Sequence, residues 1–254
     1  MLTRIQEEPW ALLCADFVGP LPRTAHGNTM LLALFDNFSK WVELIPCRKA
    51  RAEDVVKAIR ERIVSRYGVP KALITDNGTQ FTSRILKRYL EQIGVKQQFT
   101  APYTPQENPT ERANRTIKTI IAQFTGERHN RWDELLPEVM LAFNTSTSES
   151  TGYSPAFLTQ GRNPRLPKTL YDDVTIGTGA RCVRPEERAD ELKEIFKIVR
   201  HNLEKASQKQ RHHYNLRHRK WTPKIGDQVL VRQHLLSKAV DNFNAKLAPK
   251  FKGP

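Results

Sequence analysis

Three carboxylates stand out for where they fall in the chain. Asp16 comes near the end of an apolar run, Trp10-Ala11-Leu12-Leu13-Cys14-Ala15-Asp16-Phe17, which Gly19-Pro20-Leu21-Pro22 then breaks. Asp76 follows the short buried run Ala72-Leu73-Ile74-Thr75 and leads at once into Asn77-Gly78. Glu111 lies in the first turn of a helical pattern whose apolar stripe is Ala113, Ile117, Ile120, Ile121 and Phe124. Acids at the carboxyl ends of buried strands sit on a sheet rim, where ligands of α/β proteins collect. Carboxylates converging from separate elements suit hard divalent cations, which keep positions open for phosphate oxygens. Two ions about 4 Å apart can activate an attacking oxygen and stabilise a leaving one in phosphoryl displacement. Asp76-Asn77-Gly78 taken alone is equally ordinary turn chemistry, so the inference depends on the three acids together.

Arg115 and Lys118 follow Glu111 by four and seven residues, on the same helical face. That face carries an acid at one end and two cations along it, opposite the apolar stripe. A phosphate backbone lying across it would account for the combination. A solvated face with a Glu–Arg pair accounts for the spacing as well. The three prolines between Ala101 and Pro109 rule out regular structure just before the helix and predict a surface loop.

The elements needed to position these residues can be read in order. Strands are predicted at Trp10–Phe17, Thr29–Phe35 and Trp41–Ile45, the last closing at Pro46. A helix over Ala52–Tyr67 turns Val55, Val56, Ile59, Ile63 and Val64 inward and ends at Gly68. The strand leading to Asp76 follows, then a helix over Ser83–Ile93 with Ile85, Leu86, Tyr89, Leu90 and Ile93 inward, then a strand at Val95–Phe99. The order βββ-α-β-α-β predicts an α/β fold, a mixed five-stranded sheet flanked by helices. Further helices are expected at Thr110–Glu127 and Arg131–Phe143, and a linking segment from Gly152. A long amphipathic helix is expected from Pro185 to about Gln210. It leads into a basic stretch that includes Arg211, Arg217, Arg219 and Lys220. Ile225–Arg232 looks like the opening of a small β-module that the sequence leaves before it could close, which suggests a fragment. The expected organisation is a first domain over 1–165, a linker and basic helix over 166–220, and an incomplete β-module over 221–254.

Bulk properties fit a nucleic-acid partner. The net charge is +14 and the pI about 9.9. From 208 to 252 there are 11 Lys or Arg against 2 acids, so much of the excess charge lies in the tail. No apolar run approaches a membrane span, and the first residues lack a signal-peptide core. Cys14, Cys47 and Cys182 are widely separated and match neither a disulfide framework nor a zinc spacing, as in a reducing compartment. His212, His213 and His218 have no Cys or acid cluster beside them, so a basic DNA contact explains them better than a metal. Trp41, Trp132, Trp221 and Phe81 are expected to pack rather than stack on bases.

Four motifs occurring in order give residues of about 8 to 167 a specific resemblance. They are Ala15-Asp16-Phe17-Val18-Gly19-Pro20-Leu21-Pro22, Thr75-Asp76-Asn77-Gly78-Thr79-Gln80-Phe81, Tyr103-Thr104-Pro105-Gln106 and Thr110-Glu111-Arg112-Ala113-Asn114-Arg115. In these the chain resembles the catalytic cores of retroviral and LTR-retrotransposon integrases, most of all the gypsy type. The resemblance implies an RNase H-like fold with Asp16, Asp76 and Glu111 as an Asp-Asp-Glu triad binding Mg²⁺ or Mn²⁺ in a two-metal site. It implies metal-dependent 3′-end processing and strand transfer of element DNA into target DNA. It places Tyr103 and Gln106 in an active-site loop, and Asn114, Arg115 and Lys118 on a DNA-contacting helix. It also implies double-stranded DNA as partner, a homo-oligomer, and action in the nucleus after import from the cytoplasm. Asp76 and Glu111 are separated by 34 residues, one fewer than is usual for the family, and Glu107 is a second candidate for the third acid. Glu111 is preferred because it lies on the helix. The family's amino-terminal zinc module has no counterpart here, and the tail resembles the start of its SH3-like module. A catalytically idle DNA-binding relic and an RNase H-type nuclease are the alternative functions.

Overall fold

The computed structural model describes residues 8–100, 115, 117–119, 121–122, 129–166, 185–216, 226, 228, 231–232 and 251–252. The chain divides into two units, Met1–Arg211 and His212–Pro254.

The first unit is built on a five-stranded sheet. Strands β1 (Leu12–Val18), β2 (Met30–Asp36) and β3 (Val42–Cys47) form an antiparallel meander. Strands β4 (Ala72–Thr75) and β5 (Lys96–Phe99) add to the other side of β1 in parallel, giving the order β3-β2-β1-β4-β5. This is the mixed sheet predicted from the sequence. Its β1 and β4 are buried on both faces, as strands in the middle of such a sheet must be.

Alternation along each strand divides the core in two. On one face Leu13, Ala15, Leu32, Leu34 and Leu73 pack against helix α1 (Ala52–Ala58), its continuation, and helix α3 (Arg84–Gln92). On the other face Leu12, Cys14, Leu31, Ala33 and Ile74 pack against Ile117, Ile121 and Trp132 and against helix α4 (Leu136–Thr145). Each fully buried Leu or Ile contributes on the order of 1.5–3 kcal/mol over its exposed state. Cys14 and Cys47 are buried free thiols, and burial pushes Cys47 up to about 11.

Several boundaries differ from the sequence prediction for identifiable reasons. Strand β3 runs through Pro46 to Cys47, because it is an edge strand whose missing N–H breaks no central ladder. After α1 the helix widens into a π-turn at Ile59–Val64 and closes with the short helix α2 (Ser65–Tyr67). The sequence pattern turns Ile85 inward on α3, but it is 48% exposed, because Leu86 and Leu90, four residues apart, already fill the inward stripe. The segment from Gly152, expected only to link, contains a further helix, α5 (Pro155–Gln160). Its punctuation is local: Ser154 Oγ accepts from Phe157 N at 3.1 Å, Pro155 opens the first turn, and Gly161 closes it. Gly161 has φ of 72°, a left-handed conformation in which glycine carries no Cβ penalty.

The long helix α6 (Pro185–Leu216) does more than link. Its Val199 and Leu203 bury against Phe38 and Leu158, and the Phe196 ring meets Phe38 edge-on at 5.4 Å. Asn202 Nδ2 donates to Thr151 O at 2.9 Å. In the second unit, β6 (Val231–Arg232) and β7 (Phe251–Lys252) pair antiparallel. The rest of the anticipated β-module lies outside the described residues.

Candidate active site

Strand register brings the first two acids together. Leu12 lies beside Ala72, Leu13 beside Leu73 and Cys14 beside Ile74. Two residues further along both parallel strands, the same register carries Asp16 to a place beside Asp76, about 5 Å away at ordinary strand spacing. Both follow the even-numbered positions that face the Ile117–Trp132 side of the sheet, and both are half-buried. They therefore share one face and one rim, at the carboxyl ends of β1 and β4.

The turn after β4 is held from several directions. Gly78 N donates to Asp76 Oδ1 at 2.9 Å, fixing one carboxylate oxygen and leaving Oδ2 to other partners. A Cβ on Gly78 would run into the Gln80 carboxamide, so glycine lets the turn fold down on that side chain. Asn77 Nδ2 donates to Thr100 O at 3.0 Å, and Thr100 N donates to Thr75 O at 2.9 Å. Gln97 Nε2 donates to Phe81 O at 2.8 Å. Phe81 itself is fully buried, 5.7 Å from the Phe17 ring, and anchors the turn from below. The turn that carries Asp76 is thus held from both sides and beneath, and the Gly78 N–H orients the carboxylate itself.

The helical residues at 115, 117–119, 121 and 122 cover the same face of the sheet. Ile117 and Ile121 are buried in the cluster that holds Cys14 and Ile74, while Arg115 and Lys118 are exposed. Among the described residues of this helix, Ile117 and Ile121 thus lie on the apolar side and Arg115 and Lys118 on the exposed one, and the rest of the predicted stripe lies outside the described residues. Glu111, Glu107, Tyr103, Gln106 and Asn114 lie outside the described residues, as do Arg217, Arg219 and Lys220. Arg211 is exposed near the end of α6, and no described contact connects it with the acids. Exposed His212 and His213 meet edge-on with ring centroids 5.9 Å apart. Trp132 is buried, and its Nε1 donates to Pro22 O at 2.7 Å. Trp41 is half-buried against Trp10 and Tyr67.

Two supports of the rim have no clear sequence signature. Asp133 is buried, and its Oδ2 takes Thr24 Oγ1 at 2.7 Å, Asn28 Nδ2 at 2.8 Å and His26 Nδ1 at 3.1 Å. Burial pushes this carboxyl up, but the bonds from Thr24, Asn28 and His26 outweigh it and hold the group below its ordinary 3.8. Asn144 is also buried. It accepts from Val42 N and donates to Val42 O, both at 2.9 Å, and so supplies the edge strand β3 with a substitute neighbour. Each polar residue is more than a hundred positions from its partners, and no periodicity marks such a pair.

The donor set fits a hard divalent cation. Asp16 and Asp76 offer carboxylate oxygens from neighbouring strands, and among the described ion pairs none uses Asp76. Among the described residues no third His, Cys, Asp or Glu completes a metal-binding group with them.

Comparison with known proteins agrees with this architecture. Residues 6–105 match the Integrase core domain family. Over 251 residues, 98% of its length, the chain is 27% identical to the Transposon Tf2-3 and Tf2-4 polyproteins of Schizosaccharomyces pombe, and it spans 18% of the length of each. In fold it is similar to a chain of the simian T-cell lymphotropic virus intasome in complex with PP2A regulatory subunit B56 gamma. That likeness has a TM-score of 0.56 at 19% identity, over 68% of this chain and 62% of the other. It is also similar to the HTLV-2 integrase catalytic core domain in complex with magnesium, with a TM-score of 0.50 at 18% identity, over 60% of this chain and 97% of the other. The sheet order and its flanking helices are thus those of the RNase H-like fold seen in integrase catalytic cores, and residues 6–105 are similar to the Integrase core domain family.

Proposed function

We propose that this chain is the catalytic part of an integrase-type polynucleotidyl transferase that processes 3′ ends of retroelement DNA and joins them to target DNA. The observation that supports the reading is the parallel register of β1 and β4, from Leu12 beside Ala72 to Cys14 beside Ile74, which continued two residues would bring Asp16 and Asp76 to one rim. Glu111 is the proposed third acid, and the three would hold Mg²⁺ or Mn²⁺. Bound there, the metal supplies Lewis-acid stabilisation of the charge on a phosphodiester and lowers the pKa of an attacking hydroxyl or water.

The protein's own part is to position. The Gly78 N–H orients the Asp76 carboxylate, and the Asn77–Thr100 bond holds the turn against β5. Exposed Arg115 and Lys118 flank the same face and attract phosphate oxygens. Tyr103, Gln106 and Asn114 are proposed contacts around the reacting strand, and Arg211, Arg217, Arg219 and Lys220 are proposed backbone contacts of the basic tail. No side-chain nucleophile is needed, since water or a DNA 3′ hydroxyl attacks. Double-stranded DNA, a homo-oligomeric assembly and a nuclear site of action belong to the same proposal.

The test is joining of short duplex DNA ends to a plasmid with Mg²⁺ or Mn²⁺, for the parent, Asp76→Asn and Glu111→Gln. The parent is expected to join, and each variant to lose at least about a hundredfold while still binding DNA. Equal activity in parent and Asp76→Asn overturns the triad. Cleavage of RNA–DNA hybrids without joining would favour the nuclease reading instead.

A further inference from the structure

The rim that carries the acids also carries a group of cations that the proposed chemistry does not use. The hairpin loop between β1 and β2 and the residues after β3 emerge at the same end of the sheet as Asp16, because β2 begins and β3 ends there. Arg23 and His26 lie on that loop, and Arg48 follows β3; all three are exposed. Gly27 has φ of 82°, and a Cβ placed on it would lie 3.6 Å from Arg48 Nε and 3.8 Å from Arg23 Nη2. The two guanidinium groups therefore converge over a residue with no side chain, at a separation that one phosphate group could bridge. Among the described ion pairs none uses Arg23 or Arg48.

The loop is also held in place. Thr24, His26 and Asn28 are all bonded to the buried Asp133 carboxylate, and Pro22 O accepts from Trp132. Trp132 belongs to the core cluster on the face toward which Asp16 and Asp76 project. Thr29 Oγ1 donates to Arg48 O at 2.8 Å and ties the second arginine to the same hairpin. Two arginines carried on separately held backbone segments and converging over a glycine form a fork for phosphate, which guanidinium donors match in geometry.

We infer that Arg23 and Arg48, closing over Gly27, are a phosphate clamp for the backbone of duplex DNA lying across the rim beside the acid pair. Strand β3 is two strands from β1, so the clamp stands roughly 10 Å along the rim from Asp16 at ordinary strand spacing. It takes a phosphate other than the reacting one. It positions the duplex and reads no sequence. The inference rests on the DNA-acting function proposed above.

The test measures binding of a fluorescein-labelled 30-base-pair duplex to the full chain as a function of salt, without metal. Arg23→Ala/Arg48→Ala is compared with Arg60→Ala/Arg62→Ala, which removes the same charge from exposed positions beyond α1. Loss of one clamped phosphate contact is expected to lower the log–log salt slope by about 0.9. The control should leave the slope within about 0.3 of the parent. Far-ultraviolet circular dichroism and melting confirm that both variants fold. An unchanged slope in the clamp variant, or an equal drop in the control, overturns the clamp. So does a loss seen with single-stranded RNA but not with the duplex. Joining by the parent is assayed separately. A parent that cannot join but whose slope depends on the two arginines would refute the catalytic reading and leave the clamp standing.

Discussion

Replacing Asp76 by asparagine separates what the carboxylate does for folding from what it does for a cation. In the folded chain Asp76 Oδ1 accepts from Gly78 N at 2.9 Å. Asparagine offers a carboxamide oxygen in the same place, so the bond survives and loses its charge-assisted part, about 1 kcal/mol. Against this, the register of β1 and β4, continued two residues, would bring Asp16 beside Asp76 with the backbones about 5 Å apart. Two like charges at that distance repel by about 1 kcal/mol in a water-like dielectric, and more where solvent is partly excluded. Removing one relieves that repulsion. The two effects nearly cancel, so without metal Asp76→Asn should unfold within about 1 kcal/mol of the parent. Adding Mg²⁺ or Mn²⁺ at tenfold its dissociation constant should stabilise the parent by about 1.4 kcal/mol. In a chain of this size that is a rise of about 3–6 °C in melting temperature. The variant should show little or none of the rise. Differential scanning fluorimetry with and without metal reads both quantities without any assay of DNA joining. A variant that melts far below the parent without metal would mean that Asp76 is a structural residue. A variant that keeps the full metal-dependent rise would mean that the cation binds elsewhere.

Three further outcomes test the supports of the rim and of the long helix. Asn144→Ala leaves the buried N–H and C=O of Val42 without their partner, and urea unfolding should show a loss of about 2–4 kcal/mol. The Asp133 carboxyl titrates below its ordinary 3.8 in the folded state, so its stabilisation is present above that value and is lost as pH falls through the lower, folded-state value. Melting temperature of the parent should therefore drop more steeply than that of Asp133→Asn as pH falls from about 5 toward about 3. Parallel curves would show that the Thr24–His26–Asn28 network does not depend on charge. Leu203→Ala removes a buried contact between α6 and Phe38 and should cost about 2–3 kcal/mol in urea unfolding. A helix that were merely a tether would register no change.

The alternation of apolar residues and the breaks at Gly19-Pro20, Gly68 and Asn77-Gly78 make most strands and helices of the first unit legible in the amino-acid sequence. These signals are local: a strand's period, a helix's stripe and a turn's residues all lie within a dozen positions of one another. The same is true of Asp16 and Asp76 as acids at strand ends. Pro46 in an edge strand and the exposure of Ile85 are not legible in this way, because packing partners decide them.

Sequence alone determined that the chain would form an acid-bearing mixed sheet with a cationic helix and a basic tail. It did not determine that Asp16 and Asp76, 60 positions apart, would stand side by side on one face, because register between β1 and β4 is fixed by which core faces fit together. Nor did it determine that Asp133 would gather Thr24, His26 and Asn28, or that Arg23 and Arg48 would converge over Gly27. Those meetings join residues far apart in the chain, and a contact of that kind forms only where the packed core brings the elements together.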